Sequence, residues 1–138
     1  SRNTIPGSVT FSVDFRALDD DALSAMDAEL RDACTTLEAS DERLTIQVEQ
    51  VVYFPPCHFD PACIASVREA AEALGLDNME VVSGAGHDAV YLADVTPTAM
   101  IFVPCRDGIS HNEIEHAEQA HIAAGADVLL NAVLRHAR

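Results

Sequence analysis

The sequence predicts an α/β fold in two parts: a β-α-β unit over residues 1–55 and an α/β layer over residues 56–138. Three observations carry this expectation. Val9-Thr-Phe-Ser-Val-Asp-Phe15 and Leu44-Thr-Ile-Gln-Val48 alternate apolar and polar residues strictly, the period of a strand with one buried face. Between them Leu23, Met26, Leu30, Cys34 and Leu37 recur at three- and four-residue steps, as on an amphipathic helix. Thr98-Ala-Met-Ile-Phe-Val103 is apolar on both faces, like a central parallel strand.

Taken in order, the first strand sets Thr10, Ser12, Asp14 and Arg16 on its polar face. Asp19 or Asp20 can cap the next helix, because a carboxylate there accepts from amides that have no partner inside the helix. The second strand runs on through Val51-Val-Tyr53. The resulting β-α-β unit fits either a right-handed parallel crossover or half of a ferredoxin-like domain. Phe54-Pro-Pro-Cys-His-Phe-Asp-Pro61 holds three prolines in eight residues and reads as the linker. Beyond it, Ala62 to Leu74 is an alanine-rich helix stopped by Gly75. Glu80-Val-Val82 is a short strand, Ser83-Gly-Ala-Gly86 a turn, and residues 87–93 a short helix. After the doubly apolar strand, Pro104-Cys-Arg-Asp-Gly108 leads into a long closing helix. A capping box, Ser110 with Glu113 or Asn112 with Glu115, sets its start. Two strands make a poor sheet, so this part reads as the end of a larger α/β domain. The opening Ser1-Arg-Asn-Thr-Ile-Pro-Gly7, with no initiator Met, also suggests a fragment.

Charge narrows the partners. With 23 acidic against 8 basic residues the formal net charge is −15, which disfavours nucleic acid and anionic membrane surfaces. No apolar run approaches the ~20 residues of a membrane span. Cys34, Cys57, Cys63 and Cys105 form no Cys-x-x-Cys pair, and a reducing cytoplasm is expected. Cys34 and Cys105 read as small core residues. Cys57-His58 with Cys63 lacks the fourth ligand and the spacing of a structural zinc site. Nothing activates Cys105 as a nucleophile beside His111.

Three places could carry chemistry. His111, His116 and His121 are spaced by five, about 140° on a helix, so they do not make a helical metal pair, which needs steps of three or four. His111 stands apart at a strand-to-helix junction, where open α/β sheets place ligands. Ser83-Gly-Ala-Gly-His87-Asp88 is the second place. Its glycines let backbone amides approach a ligand, and His87 starts a helix. The plainer reading is a tight turn with Asp88 in the first helical turn. Third, Arg16 could clamp a carboxylate with its guanidinium fork, or simply pair with Asp14 or Asp19 at the surface.

Together these residues resemble one family. Asn3-x-Ile-Pro-Gly-x-Val-x-Phe-Ser-x-Asp-x-Arg16, Ser83-Gly-Ala-Gly-His-Asp-Ala89, and Gly108-Ile-Ser-His-Asn-x-x-Glu115 with Gly125-Ala-Asp-Val-Leu-Leu130 are similar to the hydantoinase/carbamoylase group of M20 metallopeptidase-like amidohydrolases. The resemblance spans the chain in order and covers the C-terminal portion of such an enzyme. It implies that residues 1–55 end a ferredoxin-like lid and dimerisation domain and that 56–138 end an α/β metallohydrolase domain. It also implies a homodimer through the lid and two divalent metal ions, zinc or manganese. Of the metal ligands, His111 carries over. Asn3 and Arg16 would hold the substrate carboxylate, and Gly86 and His87 would approach the substrate near the metals, His87 in a catalytic role. The implied reaction is hydrolysis of the ureido C–N bond of an N-carbamoyl-L-amino acid or related ureido acid by a metal-activated water, releasing ammonia and carbon dioxide. The lid would close over the metals. Glu113 stands where the family usually has Pro. With one ligand and no acidic cluster, the 138-residue chain by itself is expected to be inactive. Two other readings remain: a non-catalytic β-α-β oligomerisation or small-ligand module, and a fragment of an M20-type peptidase.

Overall fold

A computed structural model describes residues 3–137. The chain divides into two compact units, Ser1–Pro56 and Cys57–Arg138.

The first unit is organised around α1 (Asp20–Ser40). Asp19 is extended and its carboxylate accepts the Ala22 N–H at 2.8 Å, satisfying one of the helix's orphan amides. Asp20 and Asp21 lie in the first turn, where the helix dipole favours negative charge. The chain after the helix is drawn back onto it. The Ile46 N–H donates to Glu38 Oε1 at 2.7 Å, and the Tyr53 hydroxyl donates to the Asp20 carboxylate.

The second unit contains α2 (Pro61–Ala73), α3 (Asp88–Ala93), a 3-10 turn over Arg106–Gly108, and α4 (Gln119–His136). Asp60 caps α2 by accepting the Cys63 N–H at 2.8 Å, and Pro61 opens the helix where its missing N–H is no loss. The helix ends as the sequence predicts. Gly75 takes a φ of +69°, its N–H bonds to the Glu72 carbonyl, and the Leu76 N–H bonds to the Ala71 carbonyl. This pair of bonds terminates a helix through a left-handed residue that favours glycine.

Helices α2 and α4 pack against each other through small side chains. Ala70, fully buried, with Ala71, Val128 and Ala132 forms the core, and Val67, Leu76 and Ile101 pack on it. Polar contacts reinforce the pair: Arg135 Nη1 donates to Glu69 Oε2 at 2.6 Å, and Ser66 Oγ meets His136 Nε2 at 2.8 Å. Gly125 allows α4 to pass Val103, since a β-carbon there would stand 2.6 Å from Val103 Cγ1.

The predicted α/β class is overturned. Among the described residues there are four α-helices and no strand, so neither the β-α-β unit nor the α/β layer is present. Residues 9–15, 44–53, 80–82 and 98–103 carry the expected patterns without ladder bonds. Alternation specifies which face a strand would bury, but pairing is a property of two segments and needs a partner in register. The apolar faces remain uncovered: Val9 is 70% exposed, Phe11 77% and Val51 83%. Residues 98–103 come nearest to the expectation. Ile101 reaches the core, and the Thr98 carbonyl accepts the Asp60 N–H at 3.0 Å.

The closing helix also begins later than either capping box predicts. Residues 110–118 form a loop before Gln119. The residues of the second box do bond to one another there: the Glu115 N–H donates to the Asn112 carbonyl at 3.0 Å and the Glu115 carboxylate accepts the His111 N–H at 2.8 Å. These bonds close a turn that no helix continues. All four cysteines are free; Cys34 and Cys105 are half-buried and lie outside the core. No helix among the described residues is long and apolar enough to cross a membrane.

Candidate functional site

In the first unit, Asn3 lies exposed in a turn. Arg16 is engaged by Asp14, whose Oδ2 accepts from Nε at 3.1 Å and from Nη2 at 2.6 Å. This hydrogen bond holds the Asp14 carboxyl below, and the Arg16 guanidinium above, their ordinary values. Both side chains are well exposed, so the pair adds little to stability. The Asp14 carboxylate thereby takes up two of the donors that an arginine clamp would use.

In the second unit, the Ser83–His87 turn delivers an oriented imidazole. His87 is the extended residue immediately before α3, with φ −138° and ψ 150°. Its Nε2 lies 2.7 Å from Ser83 Oγ, which also accepts the Ala85 N–H at 3.2 Å. Phe102 meets the ring edge-on, with centroids 5.6 Å apart and planes at 65°. The side chain is half-buried and held on two sides. Gly86 takes no positive φ, and a β-carbon there would meet nothing within 4 Å. Within this chain, neither conformation nor space calls for glycine at that position. A role for Gly86 therefore rests on what approaches it.

His111 lies in the loop before α4 at φ +55°, a conformation strained for a residue with a β-carbon. The Glu115 carboxylate holds its amide, and the Asn112 side chain accepts the Ile114 N–H at 3.1 Å. Asp107, at φ +56°, is the other non-glycine residue with positive φ among those described. The loop is closed at its base by the Arg106 N–H bond to the His116 carbonyl at 2.7 Å and by the Arg106–Glu118 ion pair at 2.7 Å. The Arg106 hydrogen bond, more than any other cause, pulls the Glu118 carboxyl below its ordinary value.

The three histidines spaced by five do not share a helix. His111 and His116 precede α4, and of the three only His121 is helical. His116 instead approaches Glu118 at 3.5 Å. His87 meets Ser83 and Phe102, whereas the His111 amide meets Glu115. Among the described residues no three His, Cys, Asp or Glu side chains are arranged to hold a metal ion.

Sequence reasoning assigned no role to Ser83 or Phe102, and gave Glu115 only a capping role, not the hold on the His111 amide. Ser83 and Glu115 fall inside the quoted motifs, but a serine four residues before a histidine carries no signal of its own. Only the folded turn makes the pair.

These turns and helices have known counterparts. The model of the peptidase family M20/M25/M40 matches residues 4–135, and the chain belongs to that family. Within it, the chain is 47% identical to an N-carbamoyl-L-amino-acid amidohydrolase from Rhizobium meliloti over 99% of its own length and 33% of that protein's. It is 36% identical to an allantoate deiminase from Arabidopsis thaliana, covering 93% of this chain and 26% of that one. Among solved structures, a hydantoinase/carbamoylase-family amidase from Burkholderia multivorans matches with a TM-score of 0.81 at 54% identity, over 86% of this chain and 29% of that chain. The chain thus spans about a third of the length of the relatives it matches.

Proposed function

We propose that this chain is part of an amidohydrolase that cleaves the ureido C–N bond of an N-carbamoyl-L-amino acid or a related ureido acid, releasing ammonia and carbon dioxide. The observation that supports this most strongly is the 47% identity, along almost the whole chain, to a protein named for that reaction. In this reading Arg16 and Asn3 receive the substrate carboxylate. The incoming carboxylate competes with Asp14 for the Arg16 fork. Gly86 and His87 face the ureido end, with His87 as the catalytic contact. A half-buried imidazole held by Ser83 and Phe102 is suited to donate a hydrogen bond to an oxygen that gains negative charge.

The reading includes two divalent metal ions, zinc or manganese, which would supply the activated water. The donors of this chain do not form that centre: His111 is the single ligand assigned, and no three ligating side chains converge among the described residues. No step through the metals is derived from this chain. A homodimer formed through residues 1–55 and a cytoplasmic location belong to the same proposal.

The test is ammonia release by the full-length protein from N-carbamoyl-L-amino acids, N-carbamoyl-β-alanine and allantoate, with dipeptides as the peptidase control. Turnover of a ureido acid supports the reading. Turnover of dipeptides alone overturns it.

A further inference from the structure

The Ser83–His87 contact engages one of the two ring nitrogens. A neutral imidazole has one nitrogen that donates and one that accepts, and whichever neighbour engages one nitrogen decides the role of the other. Ser83 Oγ has one proton and two lone pairs. The Ala85 N–H takes one lone pair at 3.2 Å, and Nε2 of His87 lies at 2.7 Å. Donation of the hydroxyl proton to Nε2 lets the serine act as donor and acceptor at once inside one turn.

We propose that Ser83 is the positioning residue of His87: its hydroxyl donates to Nε2, fixes the ring's proton on Nδ1, and leaves Nδ1–H as the nitrogen that faces substrate. This inference rests on the assignment of His87 to the substrate. Three features of the turn support it. Both side chains are half-buried, which limits competition from water. Phe102 packs on the ring at 65°, opposing the rotation about the Cβ–Cγ bond that would carry Nε2 away from Ser83 and put a ring carbon in its place. The Ala85 N–H ties Ser83 Oγ to the backbone of the same turn, so the hydroxyl is itself held in place. Polarity then follows. With Nε2 occupied as an acceptor, His87 does not take a proton through that atom while the contact lasts. Its contribution is donation from Nδ1–H to a substrate oxygen.

Variants of the full-length protein test the proposal by two independent readouts. In ¹⁵N spectra of the imidazole, wild-type His87 is expected as the Nδ1–H tautomer. Ser83→Ala is expected to shift it toward the Nε2–H form, which dominates in free histidine side chains. With a ureido substrate, Ser83→Ala should lower kcat about 10- to 100-fold, the range for outer partners that set the tautomer of a functional imidazole. Ser83→Thr, which keeps the hydroxyl, should restore both the tautomer and most of the rate. A wild-type Nε2–H tautomer, or a Ser83→Ala protein with unchanged tautomer and unchanged kcat, overturns the proposal. His87→Ala separates the two levels. If it keeps full activity, the assignment of His87 to the substrate fails even where the tautomer responds to Ser83. If it abolishes activity while Ser83→Ala changes neither readout, the assignment stands and the positioning role falls.

Discussion

Replacing Gly125 with alanine is expected to destabilise the protein, against the usual trend for glycine inside a helix. Gly125 sits in the interior of α4, where alanine is ordinarily better by about 1 kcal/mol. Here the added β-carbon would stand 2.6 Å from Val103 Cγ1. Carbon atoms rest about 3.5–4.0 Å apart, so roughly 1 Å must be recovered by moving the helix or the valine. Val103 is β-branched and stiff at χ1, which leaves it little room to rotate away. Overpacking of this kind costs about 1–3 kcal/mol, so the net expectation is a loss of about 1 kcal/mol. Urea unfolding followed by far-UV circular dichroism measures it. The same substitution in a Val103→Ala background meets no methyl, and there the helix-propensity gain should reappear. A coupling of about 1–2 kcal/mol between the two positions is expected from the double-mutant cycle. Two results would refute the argument: a more stable Gly125→Ala protein in the wild-type background, or additive effects within about 0.3–0.5 kcal/mol.

Three further outcomes can be checked. Asp14→Asn removes the carboxylate that occupies the Arg16 fork, so KM for a ureido acid should fall while Arg16→Lys raises it; steady-state kinetics on the full-length protein decides, and unchanged KM in both variants refutes the clamp. The Asp60 carboxyl is held below its ordinary value, chiefly by the Cys63 N–H bond, so its support of α2 is complete above the ordinary carboxylate range and is lost as pH falls through the lowered value. Hydrogen exchange at the Cys63 amide should therefore quicken in acid beyond the intrinsic trend, and Asp60→Asn, which still accepts but does not titrate, should remove that pH dependence. Finally, the isolated 138-residue chain should release no ammonia from N-carbamoyl amino acids with added Mn²⁺ or Zn²⁺; measurable release shows that this chain assembles a complete centre.

What the sequence revealed and what it hid divide along a physical line. Signals that act within one helix were legible. The helix that carries the stripe from Leu23 to Leu37, the Asp19 cap and the stop at Gly75 each depend on neighbours a few residues away, and all three form, although the stripe itself is only half-buried and Leu37 is exposed. The strands failed because alternation at Val9–Phe15 marks a face without naming the segment that pairs with it, and the described residues supply no ladder. The start of α4 failed for a subtler reason. The Asn112–Glu115 spacing that begins a helix also closes a turn: here the Glu115 N–H goes to the Asn112 backbone carbonyl and the Glu115 carboxylate to the His111 N–H, in place of the reciprocal side-chain bonds of a capping box. Composition does not choose between the two outcomes. The choice lies in the backbone at His111, whose left-handed φ carries the chain out of the helical path. That residue is also the one the family resemblance marks as a metal ligand. The observation there is a left-handed non-glycine backbone whose amide is held by the Glu115 carboxylate. At His87 the division is similar: the motif is in the sequence, and the contacts of the ring with Ser83 and Phe102 exist only in the fold.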